Sequence, residues 1–278
     1  MKKSVIKVLI FCLLLTPIWV SAAKKDEVNW NYVLKKQYFR GQTIIESDDI
    51  IEIEVPYRAE DPALVPIKII SKIKQTSQNY IKKILVLVDN NPMPFVGEFK
   101  FTPLSGQADL AMRIRVNSYS YIRVIAETSE GKLYMTKKFV KASGGCSAPI
   151  GNDLDAAMKR LGKMKFKFDK HRQAGKPLQT QLLISHPNIT GMQMDQVTRF
   201  VKKSHFIKQF KVTFNGQSVL KAKVDIAISA DPNFRFYFLP EQGGELKAEF
   251  TDTSCESAVS RKVCSKGKRY SISQIMTD

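Results

Sequence analysis

Short runs in which apolar residues occupy every second position recur along most of the chain. Ile51 and Ile53 alternate with Glu52 and Glu54, Phe99 and Phe101 with Glu98 and Lys100, and Ile114 and Val116 with Arg113 and Arg115. Phe234, Phe236 and Phe238 do the same with Arg235 and Tyr237. Residues two apart share one face of a strand, so this pattern predicts half-buried strands in an antiparallel, all-β arrangement. Prolines fall between the runs, at Pro56, Pro62, Pro66, Pro92, Pro94, Pro103, Pro187, Pro232 and Pro240, where no ladder donor is lost. Ser129-Glu130-Gly131 and Asn215-Gly216 each separate two such runs and predict hairpins.

The runs form two sets. Residues 45–141 hold about six strand candidates and residues 164–252 about five, so each set is long enough for a small sandwich. A helix is expected ahead of the first set, from Asp26 to Phe39, with Val28, Trp30, Val33 and Leu34 as its apolar residues. Between the sets lies Ser143-Gly144-Gly145-Cys146-Ser147-Ala148-Pro149-Ile150-Gly151. A short helix follows, capped by Asn152 or Asp153, with Leu154, Ala157, Met158 and Leu161 on one face and Gly162 at its end. Met164, Phe166 and Phe168 then alternate with Lys163, Lys165 and Lys167. The residues after Cys264 read as a basic, polar tail without assigned structure.

Residues 1–23 carry a basic start (Lys2, Lys3, Lys7), an apolar stretch from Val8 to Val20 and a small-residue end at Ser21-Ala22-Ala23, which predicts a cleaved secretory signal. Pro17 and the shortness of the run argue against a permanent anchor, and no later run is long enough to span a bilayer. The product is expected in the periplasm, with no stable membrane insertion. There, unpaired thiols tend not to persist without a purpose, and the exported chain keeps three: Cys146, Cys255 and Cys264. Cys255 and Cys264 lie nine positions apart, and a disulfide closes that loop if its ends approach. Cys146 then stays single; the alternatives are pairing with one of the other two, or an inert buried thiol.

The 278 residues carry 44 Lys and Arg against 26 Asp and Glu, a formal +18 that falls to +15 once the three signal lysines are gone. Such charge commonly marks nucleic-acid binding, which export disfavours; anionic cargo or acidic protein partners are expected instead. Phosphate loops, dinucleotide fingerprints, serine nucleophile elbows and haem-attachment motifs are all missing from the sequence. His171, His186 and His205 are spaced 15 and 19 apart, without the spacing of a zinc helix, so no metal, cofactor or catalytic residue is expected. His186 before Pro187 reads as a strand-end residue.

Cys146 is left to carry chemistry. Gly144 and Gly145 have no side chain to clash, so with Ser147 they form a flexible arm that presents the thiol as an exposed, mobile tip. Seven residues from Ser143 to Pro149 span roughly 23 Å when extended. Lys137, Lys138 and Lys141 lie just upstream, and cations favour the nucleophilic thiolate.

The segment from Gly131 to Gly-Gly-Cys146 resembles the end of SoxY, the carrier subunit of the periplasmic thiosulfate-oxidising system, as does Asp89-Asn-Asn-Pro-Met-Pro94 followed by Phe99-Lys-Phe101. Ile184-Ser-His-Pro-Asn-Ile-Thr-Gly-Met192, Phe214-Asn-Gly216, Ile228-Ser-Ala-Asp-Pro232 and Phe234-Arg-Phe236 resemble SoxZ, its partner. In this order they resemble the fused SoxYZ-like carriers associated with quinoprotein dehydrogenases, for which Pro56-Tyr-Arg-Ala-Glu-Asp61 and Gly-Gly-Cys-Ser-Ala-Pro149 look typical. The resemblance implies two immunoglobulin-like β-sandwiches: a SoxY-like one over 24–142 and a SoxZ-like one over 164–255, joined by an arm and linker helix over 143–163 and followed by a tail over 256–278. It also implies a non-catalytic carrier, in which the sulfur of Cys146 holds a small sulfur species for periplasmic sulfur-oxidising enzymes, with a c-type cytochrome or quinoprotein dehydrogenase as partner. The other reading is a non-covalent accessory protein for such a dehydrogenase or its cytochrome.

One departure stands out. In SoxY the arm ends at a free C-terminus as Gly-Gly-Cys-Gly-Gly, whereas here Ser147-Ala148-Pro149 follow and the chain continues. A free end enters a pocket as one strand; a tethered loop enters doubled, and Pro149 also restricts Ala148. Cys146 is therefore expected to suit shallower or wider partner sites than a free arm does.

Overall fold

The computed structural model describes residues 27–149, 154–168, 173, 175–240, 243–254 and 267–276. The signal sequence, the linker-helix cap, His171, Cys255 and Cys264 lie outside the described residues. The expected N-terminal helix is present as a π-helical turn, Trp30–Leu34, running into α1, Lys35–Phe39. Trp30, Leu34 and Phe39 are buried, but Val28 and Val33 are half exposed, so the apolar stripe is narrower than the composition of the segment suggested.

The all-β reading holds. The strands of the first half are β1 (Ile44–Glu46), β2 (Ile51–Glu54), β3 (Val65–Ser71), β4 (Ile81–Val88), β5 (Phe95–Phe101), β6 (Leu110–Ile114), β7 (Ser120–Thr128) and β8 (Leu133–Val140). After α2 (Leu154–Lys159) come β9 (Met164–Phe168), β10 (Leu178–Ile184), β11 (Ile207–Phe214), β12 (Gln217–Val224), β13 (Asn233–Phe238), β14 (Gly244–Asp252) and β15 (Arg269–Met276). Both expected hairpins form, β7–β8 and β11–β12. At the second, Asn215 and Gly216 both take positive φ, 48° and 78°, the backbone that a two-residue turn between right-twisted strands requires. The polar tail differs from expectation: β15 pairs with β14 over eight residues, seating Tyr270 and Ile272 against the core and burying Met276.

These strands make two facing sheets, an immunoglobulin-like sandwich arrangement. One sheet has the order β1-β8-β7-β4-β5-β12-β11-β14-β15 and the other β2-β3-β6-β13-β10-β9. Each sheet runs through both halves of the chain. β5 pairs with β12 from Phe101–Leu220 to Gly97–Val224, and β6 meets β13 at Ala111–Arg235. The halves are thus joined by sheet continuity as well as by the arm, because four strand edges that would otherwise face solvent satisfy one another. The core is continuous too, and Phe210 packs against both Phe99 and Phe234, with ring centroids 6.5 and 4.4 Å apart.

A smaller core lies on the outer face of the larger sheet, where Trp30, Leu34 and Phe39 cover Leu85, Leu87, Ile125, Leu133 and Met135. Beneath Trp30 sits Arg123, fully buried, with its guanidinium 4.5 Å from the indole. Its Nε donates to both oxygens of buried Asp89 at 3.0 and 2.8 Å, and its Nη2 pairs with Glu27 at 3.2 Å. Among the described residues, no helix is long and apolar enough to cross a membrane.

Candidate functional site

Cys146 lies in the seam between the halves. β8 ends at Val140, and Lys141 bridges to Arg58 while its N–H donates to Tyr57 O at 2.7 Å, which steers the chain toward the loop after β6. Gly144, at φ +83°, turns it inward. The N–H groups of Gly144 and Gly145 donate to Asn117 O and Val116 O at 2.9 and 3.1 Å, and that of Cys146 to Asn117 Oδ1 at 3.3 Å. From the other half, Thr190 Oγ1 donates to Cys146 O at 2.7 Å. Gly145 packs so tightly on the carbonyls of Pro62 and Val116 that a Cβ there would overlap both.

The arm is therefore docked, and Cys146 is 1 % exposed, unlike the mobile tip expected from Gly144, Gly145 and Ser147. Ser147 alone of these is exposed, and it closes a turn by donating from its N–H to Gly144 O at 3.2 Å. The reason is that glycines which let a chain move also let it approach other backbone closely, and here both halves offer hydrogen-bond partners. Cys146 is a free thiol. Burial pushes it up to about 11, only partly offset by the positive charge of Arg115. The upstream lysines are occupied elsewhere: Lys137 pairs with Glu27 and Glu46, and Lys141 sits 4.9 Å from the Tyr57 ring. Lys138 is exposed and takes no part.

Arg115 is the residue that alternation misplaced. In a continuing strand it would face solvent beside Arg113, but β6 ends at Ile114 and Arg115 is 3 % exposed. Its N–H donates to Ala227 O at 2.7 Å, which draws the backbone toward the second half. Its Nη1 donates to Gly145 O at 3.1 Å and its Nη2 reaches Asn188 O at 3.4 Å, so the guanidinium ties the arm to the second half.

The loop that receives the arm is itself pinned by His186, His205 and Asp252, whose ligand-type atoms all lie within 4.8 Å of one another. His205 Nε2 is 2.9 Å from Asp252 Oδ2, and His186 Nε2 is 3.5 Å from the same oxygen. His186 Nδ1 accepts the Asn188 N–H at 3.0 Å, which puts the ring proton of the neutral imidazole on Nε2, a buried atom that makes no hydrogen bond among the described residues. That tautomer leaves Nε2 without a lone pair for a metal, and the Asp252 carboxylate takes hydrogen bonds from His205 and Ser254 instead. Burial pushes Asp252 up, but contacts from His186, His205 and Ser254 outweigh it and hold the carboxyl well below its usual range. Burial also pushes His186 down. The unfolded chain then takes up the His186 proton first as pH falls, so stability present above about pH 6.5 is lost below it. Asp252, with its depressed value, stays ionised throughout pH 7 to 5. Urea midpoints at pH 7 and pH 5 are expected to differ more in the wild type than in His186→Gln; equal differences would refute this.

Charge gathers elsewhere on the larger sheet. Lys83, Lys100, Lys221 and Lys211 are successive cross-strand partners on β4, β5, β12 and β11. Like charges directly opposite one another oppose folding. Glu127, Glu98 and Glu249 pair with Lys83, Lys100 and Lys211 respectively, whereas Lys221 has no ion pair among the described residues.

Comparison with known proteins divides the chain at the arm. The family described as sulfur oxidation protein SoxY matches residues 35–146, ending on Cys146, and sulphur oxidation protein SoxZ matches residues 164–262. No curated protein sequence matches the chain. Among solved structures, the sulfur carrier protein SoxY from Chlorobium limicola f thiosulfatophilum is 26 % identical, over 44 % of this chain and 93 % of that one, with a TM-score of 0.34. A superoxide reductase (neelaredoxin) from Ignicoccus hospitalis is 14 % identical over 33 % of this chain and 79 % of its own, with a TM-score of 0.31. At such scores neither likeness bears on function.

Proposed function

Because the chain is a fused SoxYZ-like protein of the sulfur-oxidation carrier type, a SoxY half followed by a SoxZ half, we propose that it works in the periplasm by holding a small sulfur species covalently on Cys146. The observation that supports this most is the place of Cys146: the last residue of the SoxY match and a free thiol on a glycine turn held largely by hydrogen bonds to backbone groups. Release of that turn returns the thiol to water, where its pKa falls back toward about 8.5 and the nucleophilic thiolate becomes accessible.

Joining the thiolate to the outer sulfur of thiosulfate forms one S–S bond and gives up two electrons, leaving Cys146 as a thiosulfonate with a single negative charge. A c-type cytochrome or quinoprotein dehydrogenase takes those electrons as the partner. In this role the docked arm hides the thiol between encounters and the released arm presents it.

Intact mass after exposure to thiosulfate or sulfite with an oxidant tests the proposal. A single adduct confined to Cys146 and lost in Cys146→Ser is expected; no adduct at Cys146 in the folded protein would sink it.

The lysine row favours a second reading, a non-covalent accessory protein that docks an acidic dehydrogenase or cytochrome. Such docking weakens as salt rises. Unchanged pathway output with Cys146→Ser would favour it over the carrier.

A further inference from the structure

Among the described residues, Arg115 is a buried cation without a counter-ion. Its guanidinium donates to two carbonyls, Gly145 O and Asn188 O, while its Nε has no hydrogen-bond partner. No carboxylate lies within ion-pair distance of it among the described residues. Asp61 attracts it from farther off, but Asp61 Oδ1 accepts the Ala63 N–H at 2.7 Å. The contrast with Arg123 is internal to the molecule: there, complete burial is matched by the Asp89 carboxylate, with Glu27 at its edge. A buried charge left unpaired is costly, and chains rarely retain one without use.

Cys146 is the group that faces this charge, yet unloaded it brings no compensating one. Burial keeps the thiol protonated at neutral pH, even with Arg115 favouring the thiolate. Resting on the carrier reading, we infer that Arg115 is the receptor for the anionic end of the cargo, so that the arm docks more firmly when Cys146 carries a negatively charged sulfur group than when it is empty. A thiosulfonate stays ionised at neutral pH and accepts N–H donors, which the free Nε–H supplies. Charge-assisted hydrogen bonds of this kind are roughly twice as strong as neutral ones. Cargo charge thereby decides whether the arm rests or is released: an oxyanion-bearing intermediate is drawn into the seam, and a neutral thiol left after its removal lets go more readily.

Two nearly isosteric adducts separate charge from size. Tetrathionate converts the thiol to the thiosulfonate, with thiosulfate expelled and the thiol proton released. tert-Butyl methanethiosulfonate gives the neutral tert-butyl disulfide, whose three methyls stand where the sulfonate carries three oxygens, expelling methanesulfinate and the same proton. Both are installed on the exported chain carrying Cys255→Ser and Cys264→Ser, opened in urea and then refolded, so no partner enzyme and no native loading step are needed. Failure of native loading would strike the carrier reading; the present comparison is independent of it.

The thiosulfonate form is expected to melt about 2–4 °C above the tert-butyl disulfide form, the shift that a pairing of ordinary strength produces in a chain of this size. In Arg115→Gln the gap is expected to vanish; because the two adducts are compared within one variant, any general destabilisation cancels. Should that variant not fold, Arg115→Lys, which keeps the charge but lacks the Nε–H, is expected to shrink the gap. Equal or reversed melting in the wild type, a gap that survives Arg115→Gln, or one undiminished in Arg115→Lys overturns the pairing.

Discussion

Gly145→Ala is expected to drive the arm off its seat and speed alkylation of Cys146 at pH 8 by about 100-fold. The added methyl would overlap the carbonyls of Pro62 and Val116, and neither is the flexible end of a side chain. Tightly packed backbone does not yield by so much, so the turn carrying Cys146 must leave. Once in water the thiol drops from about 11 to its ordinary value near 8.5, and two or more pKa units mean a hundredfold or greater gain in thiolate. Gly144→Ala is the control: its Cβ would meet nothing, but φ +83° is strained for alanine, which costs only about 1 kcal/mol. Iodoacetamide rates read by mass spectrometry decide the matter, and a Gly145→Ala rate equal to wild type would show the turn is not held by this contact.

Arg123→Leu is expected to be the most destabilising of the substitutions considered, at about 3–5 kcal/mol, because it leaves the Asp89 carboxylate buried without its guanidinium. It also removes the cation beneath Trp30, so the N-terminal helix should loosen from the outer face of the larger sheet. Urea unfolding followed by Trp fluorescence measures both effects. A loss below about 1 kcal/mol, the range of an exposed pair, would mean that the site relaxes to admit water.

The strands and hairpins were legible because alternation and turn chemistry are local: Phe99 and Phe101, or Asn215 and Gly216, need only their neighbours to declare themselves. Arg115 was not legible for the same reason. Its position continues the alternation of Arg113, and only the meeting of Ile114 with Ile228 from the other half takes it out of the strand and into the seam. The arm shows the limit differently. Its sequence marked Cys146 as the residue of interest, but glycine composition describes mobility and close approach equally well, and the choice between them depends on Asn117 and Thr190, which are remote in sequence. The His186, His205 and Asp252 cluster is likewise a product of folding, with Asp252 lying 47 positions after His205.

The pairing of β5 with β12 and of β6 with β13 carries a consequence for concentration. A seam of this kind between two separate chains dissociates on dilution, and the seat of the arm, built from Asn117 on one side and Thr190 on the other, would be dismantled with it. Carrying both halves on one polypeptide makes their encounter unimolecular, with an effective concentration that short tethers hold in the millimolar range whatever the protein's abundance. A molecule present at a few copies would keep its thiol sheltered as well as one made in bulk.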